Sequence, residues 1–326
     1  MRRRNFVIAL AVGFALPRLG ASQSKTKVHR VGVLETTSLR LNAENFDRFR
    51  KGMEERGYVE GPSLVIAYRS AEGHTHRFSE LAAQLVKQKV DLILTRGTPA
   101  TLAAKQATST IPIVMVAVAD PVASGFAASL ARPGGNVTGL TSVNAEIAPK
   151  RLELLKALAP GMTRVAAYAN LANVAAAASW RETETAARAM GLQPQLLDVR
   201  TPEQIAPAFE AAVRQGVQGL IVGIETLAHS NRKAIVELAA KHRLPAMYSA
   251  REFVDDGGLV SYGVSYPDLY YRAADYADRI LKGAAPAELA IERPAKFAFF
   301  INRRTANALG VVVPPDLLLR ADRMID

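Results

Sequence analysis

One alternation runs through the chain twice and limits what it can fold into. From residue 29 onward, short β-branched runs alternate with segments whose apolar residues recur at helical spacing. Strands are predicted over 29–34 (HRVGVL), 63–68 (SLVIAY), 90–94 (VDLIL) and 111–118 (IPIVMVAV). Helices are predicted between them, over 45–56, from Phe78 through Leu85, and over 98–108. In the second of these, Phe78, Leu81, Ala82 and Leu85 share one face at i, i+3, i+4 and i+7. Strand runs with so little polar interruption suit parallel strands covered on both faces. Repeated strand–helix order then calls for right-handed crossovers and a parallel sheet.

The second half repeats the plan. Strands are predicted over 163–168, 194–199, 217–222 and 245–248, and helices over 179–190, after Thr201 and up to about His242. Thr201-Pro202-Glu203-Gln204 reads as a capping box with proline at the first helical position. Val90-Asp91-Leu92-Ile93-Leu94, a helix and Ile111-Pro112-Ile113-Val114 lie over Val217-Gln218-Gly219-Leu220-Ile221, a helix and Leu244-Pro245-Ala246-Met247. A duplication this long argues for two similar lobes, which 326 residues accommodate, and against a solenoid.

The start of the chain has a different character. Arg2, Arg3 and Arg4 precede an apolar run over 6–17, and Gly20, Ala21 and Ser22 follow. That is the layout of a secretory signal over residues 1–23, and Arg3-Arg4-Asn5-Phe6-Val7 resembles a twin-arginine export pattern. The net charge is +11, and this segment carries four arginines and no acid. Its removal leaves 37 basic residues against 30 acidic ones, a net charge of +7. The remaining basic residues are scattered, which speaks against a nucleic-acid partner.

In open parallel sheets, ligands sit beyond the carboxyl ends of the strands. The candidate binding residues are therefore Glu35, Thr36 and Thr37 after the first strand, Gly97, Thr98 and Pro99 after the third, and Ala119 and Asp120 after the fourth. Asn170, Glu225, Tyr248 and Arg251 hold the matching places in the second half, and Tyr262 lies near the same rim. Thr98 is placed to be a helix N-cap with Pro99 at the next position, and a helix start of this kind favours a carboxylate. The same threonine can also simply cap its helix. Tyr248, Tyr262 and Tyr266 can stack on a ligand or pack at the lobe edges. Tyr270, Tyr271 and Tyr276 read as structural.

Other chemistries lack their signatures. No G-x-S-x-G, Walker A, H-E-x-x-H or G-x-G-x-x-G pattern occurs in the sequence. His74 and His76 have no third ligand near them in sequence, so neither a metal nor a cofactor is expected. Asp255-Asp256-Gly257-Gly258 and Pro133-Gly134-Gly135-Asn136 read as turns. With no cysteine there is no disulfide, zinc–thiolate site, iron–sulfur cluster or thiol nucleophile, and no acceptor for a lipid anchor.

A longer set of motifs carries a family resemblance. It comprises Gly97-Thr98-Pro99-Ala100, Lys105-Gln106-Ala107-Thr108, Ile111-Pro112-Ile113-Val114, Asp120-Pro121-Val122, and Leu130-Ala131-Arg132-Pro133-Gly134-Gly135-Asn136-Val137-Thr138-Gly139-Leu140. It continues through Arg251-Glu252-Phe253-Val254, Gly257-Gly258-Leu259-Val260-Ser261-Tyr262-Gly263, Ile280-Leu281-Lys282-Gly283 and residues 302–315. This set resembles the substrate-binding proteins of a bacterial ABC-transporter group that includes tryptophan and tyrosine binders.

The resemblance implies a type I periplasmic-binding-protein fold: an α/β architecture of two Rossmann-like lobes with parallel sheets, joined by three hinge crossovers. The implied crossovers lie near Ser142, Tyr262 and Arg293. The first lobe then spans 28–142 plus about 263–292, and the second 143–262 plus about 293–326. It also implies a monomer that traps a small polar metabolite, such as an aromatic amino acid, and hands it to an inner-membrane ABC permease. The loops at Gly97-Thr98-Pro99 and Ala119-Asp120 line the cleft in amino-acid-binding relatives, and Asp120 can either meet a ligand ammonium or cap the next helix. Without a lipid anchor, such a protein stays near its permease only in a periplasm. The rival readings are an exported sensor module of the same fold and an envelope α/β enzyme using Glu225, Arg251 and Asp120.

Overall fold

The computed structural model describes residues 27–223 and 225–326. The export-signal expectation falls on residues 1–23, outside the described residues.

The first sheet contains β1 (His29–Glu35), β2 (Leu64–Ser70), β3 (Leu92–Arg96), β4 (Ile113–Val118) and β5 (Val137–Thr141). Their order is β2-β1-β3-β4-β5, and every pair is parallel. All residues of β3, β4 and β5 are buried, as the uninterrupted apolar runs require of strands covered on both faces. The second sheet contains β6 (Arg164–Ala169), β7 (Gln193–Asp198), β8 (Gly219–Val222), β9 (Ala246–Tyr248), β10 (Val260–Val264), β11 (Phe297–Asn302) and β12 (Arg323–Ile325). Its order is β12-β11-β10-β9-β8-β6-β7.

Helices α1 (Ala43–Glu54), α2 (Phe78–Lys87) and α3 (Gly97–Ala107) cover the first sheet. Helices α4 (Ala148–Leu158), α5 (Val174–Ala189), α6 (Ile205–Arg214), α7 (Thr226–Ser230), α8 (Arg232–Lys241) and α9 (Arg251–Asp255) belong to the second lobe. Then α10 (Tyr266–Leu281) returns to the first lobe, where it packs on α1 so closely that a Cβ on Gly52 would sit 2.7 Å from the Ala274 Cβ. Ile291 and Glu292 pair with Leu130, Gly139 and Thr141 before the chain crosses back into β11. Helices α11 (Arg303–Leu309) and α12 (Pro315–Arg320) complete the second lobe.

That excursion explains one departure from the sequence reading. The pairing of β10 with β11 is antiparallel, because β10 runs out of the second lobe and β11 runs back in. The rest of the second sheet is parallel. The capping box at Thr201 is met only in part: Thr201 holds the N-cap position with Pro202 next, but of a 3-10 turn over Pro202–Gln204 that precedes α6, and its side chain makes no cap bond. Instead the Gln204 Oε1 accepts the Arg200 N–H at 2.8 Å.

Gly139 is required where it stands. Its φ is +130°, and a Cβ there would lie 2.2 Å from the Met115 carbonyl oxygen, beside the register shift between β4 and β5. A single cluster of buried apolar residues includes Val31, Phe46 and Leu140 of the first lobe together with Tyr168, Ala228 and Phe253 of the second. The two lobes are therefore closed against each other.

Candidate ligand-binding cleft

The carboxyl ends of β1, β3 and β4 face those of β8 and β9 across the lobe boundary. Two cavities of about 30 Å³ each lie there. One is lined by Thr36, Arg96 and Gly97 from the first lobe and by Glu225, Thr226 and His229 from the second. The other is lined by Gly97, Thr98, Pro99 and Ala119 opposite Asn144 and Glu225. Glu225 borders both.

Glu225 follows β8 and opens α7. Its Oε2 accepts the Ala228 N–H at 2.9 Å, and its Oε1 has no hydrogen-bond partner among the described residues. The residue is 4% exposed. Burial pushes its carboxyl up to about 7, against the opposing pull of the Ala228, Leu227 and Thr226 amides. A buried carboxylate oxygen without a partner costs free energy, so a cationic or N–H-bearing ligand group at this point relieves a penalty.

The loop after β3 turns on Gly97, whose φ is +76°. The helix begins at Gly97, two residues earlier than a cap at Thr98 would place it. Arg96 occupies the N-cap position and no side chain supplies a cap bond. Thr101 instead bonds back to the Gly97 carbonyl at 2.9 Å. Thr98 is thus not the cap of α3, and the first-turn amides at the cavity wall are available to an anion.

Arg96 is the buried cation of the cleft, 4% exposed. It lies 4.0 Å from Glu35, donates to Asn42 Oδ1 at 3.3 Å and covers the Tyr266 ring at 4.2 Å. Burial works against its charge, but Glu35, Tyr266 and Glu252 more than offset that, so its pKa is raised. Glu35 is 1% exposed and fully engaged: its Oε2 accepts the Thr36 N–H at 2.6 Å, and Tyr270 donates to its Oε1. From the second lobe, His229 Nε2 sits 3.3 Å from Arg96 Nη2, and Glu252 Oε1 accepts from Asn45 at 3.2 Å. Asn144 is fixed by the buried Arg151, which donates to it at 2.5 Å and to the Tyr262 carbonyl at 2.7 Å.

The structure sorts the sequence candidates into groups. Thr36, Gly97, Thr98, Pro99, Ala119 and Glu225 come together at the cleft. Thr37 is buried beside Glu35, with its hydroxyl unpartnered among the described residues. Glu35 serves Arg96 and does not line the cavities. Asp120 is exposed and caps the turn after Pro121, accepting from Val122 at 3.0 Å and Ala123 at 2.9 Å. It lines a separate space of about 380 Å³ that also touches Glu146, Arg181 and Arg293. Asn170 spends its Oδ1 on the Ala172 N–H at 3.0 Å, closing a local turn.

Three further candidates lie outside these two cavities. Tyr248 is 1% exposed and stacks on Phe253 at 4.8 Å inside the second lobe, because alternation along β9 turns its side chain into the core. Ser249 and Ala250, the next two residues, line the cavity instead. Tyr262 stacks on Phe297 at 6.1 Å across the β10–β11 pair, away from the cavities. Arg251 bridges the lobes at the outer edge, 3.0 Å from Glu44 and 3.1 Å from Asp255. The acid–base trio of Glu225, Arg251 and Asp120 is therefore dispersed, each member lining different cavities. Among the described residues no group of three or more His, Asp or Glu side chains is placed to hold a metal.

Tyr266, weighed from the sequence as a stacking residue, does line the cleft, whereas Arg96, Asn144 and His229 were passed over. Arg96 stood in the inspected loop beside Gly97. The others had no local signal, since they reach the cleft only through the crossings of the chain.

Comparison with known proteins defines the class. The family described as ABC transporter substrate binding protein matches residues 30–325. A tyrosine-binding protein of Clostridioides difficile (strain R20291) is 30% identical over 263 residues, covering 81% of this chain and 75% of that protein. Among solved structures, an ABC domain in complex with L-Trp from Streptococcus pneumonia superposes with a TM-score of 0.85 at 27% identity. It covers 92% of this chain and 100% of that one. A conserved domain protein from Vibrio cholerae gives a TM-score of 0.86 at 26% identity, covering 91% and 100%. The fold is that of the type I periplasmic binding proteins, and the chain belongs to the ABC transporter substrate-binding protein family.

Proposed function

We propose that the protein captures an α-amino acid, with an aromatic amino acid the foremost candidate, and delivers it to an ABC permease after export to the periplasm. The observation that carries this reading is Glu225, whose buried Oε1 has no hydrogen-bond partner among the described residues and which lines the same cavity as the uncapped start of α3. A ligand ammonium satisfies the first, and a ligand carboxylate suits the second. The two groups come from opposite lobes, so a zwitterion bridges them only when the lobes are closed. Binding then shifts the open–closed equilibrium toward closure. The tyrosine-binding relative and the L-Trp complex of the structural neighbour support an aromatic side chain.

A thermal-shift screen of the full chain against the proteinogenic amino acids tests this reading. Stabilisation by a subset that includes L-tyrosine or L-tryptophan is expected, because a ligand that binds only the native state raises its stability. Absence of any shift at millimolar amino acid contradicts it.

A further inference from the structure

A third, smaller cavity lies under Glu225 inside the second lobe. Its volume is about 10 Å³, and its walls include Asn144, Tyr168, Ser179 and Trp180 as well as Glu225. Two of these carry polar atoms with no hydrogen-bond partner among the described residues: Glu225 Oε1 and the Tyr168 hydroxyl. Tyr168 is 2% exposed. Two unpartnered groups around one small polar space are too costly to coexist unless something joins them. The space matches a single water, which needs two to four polar partners.

We propose that Tyr168 is a positioning residue for Glu225: its O–H, through one water in the cavity between them, holds the carboxylate oxygen that receives the ligand ammonium. The inference rests on the reading of Glu225 given above and assigns a role to a residue outside the ligand contacts. Burial first, and Glu225 second, push the Tyr168 phenol up, so it stays a donor at neutral pH. The other groups facing Glu225 do not change charge between pH 5 and 8.5. Arg96 from β3 stays cationic, His229 from α7 stays neutral with its pKa lowered to about 3, and Tyr266 from α10 stays protonated. Arg151 from α4 reaches the site only through Asn144. A donor to the ionised carboxylate favours that form, so its removal acts on the charged state of Glu225 and not on the neutral one.

The test is thermal unfolding of the ligand-free full chain as wild type, Tyr168→Phe, Glu225→Gln and the double variant, each at pH 5 and pH 8.5. Tyr168→Phe is expected to lower Tm by roughly 2–4 °C more at pH 8.5 than at pH 5. That difference should vanish in the Glu225→Gln background. An equal loss at both pH values, or a pH-dependent loss that survives Glu225→Gln, overturns the proposal, because a merely structural hydroxyl behaves in that way. A second arm titrates L-tyrosine into wild type and Tyr168→Phe, with about tenfold weaker binding of the variant expected at pH 6 and a smaller difference at pH 8.5. Failure of L-tyrosine and every other amino acid to bind wild type overturns the function proposed above, while the unfolding series still decides the role of Tyr168.

Discussion

Arg96 and His229 stand on opposite lobes and meet across the cleft, with Arg96 Nη2 3.3 Å from His229 Nε2. A guanidinium only donates, so Nε2 accepts and the imidazole is neutral, carrying its proton on Nδ1. Burial, reinforced by Arg96 and Arg232 and opposed by Glu252, lowers the His229 pKa to about 3. The pair therefore holds the lobes together only while His229 is uncharged.

Acid sensitivity follows from the sign of that shift. The folded pKa is depressed below the ordinary 6.5, so the neutral form is favoured on folding. The stabilisation is fully present above about pH 6.5 and is lost as pH falls toward 3, by up to roughly 4 kcal/mol. His229→Asn should flatten the fall in denaturation free energy between pH 6.5 and pH 4, measured by urea unfolding. A slope equal to that of wild type contradicts the assignment.

Arg96 and Glu35 should behave as a coupled pair. Arg96→Met leaves Glu35 buried without its cation and should destabilise the protein by roughly 3–5 kcal/mol. Adding Glu35→Gln should restore a substantial part of the loss, since both charges are then gone. A double variant as unstable as the sum of the two single variants contradicts the pairing.

Thr98→Val separates binding from capping. Because Thr98 supplies no cap, the change should alter stability by less than about 0.5 kcal/mol. Amino-acid affinity should fall severalfold if the start of α3 receives the ligand carboxylate. Unchanged affinity removes Thr98 from the site.

Glu225→Gln should trade function for stability. The folded pKa of Glu225 is raised to about 7, so the stability linked to its proton is present below pH 4.5 and is lost as pH rises through 7. At pH 8 the ligand-free Glu225→Gln variant should be more stable than wild type by roughly 1–2 kcal/mol, the gain being trimmed by a weaker cap on α7. Lower stability of the variant at pH 8, in chemical denaturation, contradicts a strained buried carboxylate.

The sheets were legible because β3, β4 and β8 are buried on both faces and so lack polar interruptions. The loops after them were legible because ligand rims follow strand ends in such sheets. Side-chain direction was less so. Tyr248 reads as a rim residue from its position, but alternation aims it at Phe253 and hands the rim to Ser249 and Ala250. The start of α3 shifted because Gly97 takes the turn itself, with its positive φ, leaving Thr98 inside the helix. The pairing of Arg96 with His229 joins positions 133 residues apart, and no local pattern reports it.

In the proposed function, Glu225 and the start of α3 clamp the two ends of one amino acid. Calorimetric titration of the full chain at pH 7.5 with L-tyrosine and L-tryptophan, in wild type and Glu225→Ala, tests it most directly. One-to-one binding of at least one of them at micromolar Kd or tighter is expected in wild type. Affinity should fall by about a hundredfold or more in Glu225→Ala, because the ligand ammonium then has no charged acceptor in a buried site. Binding that survives Glu225→Ala undiminished contradicts the account.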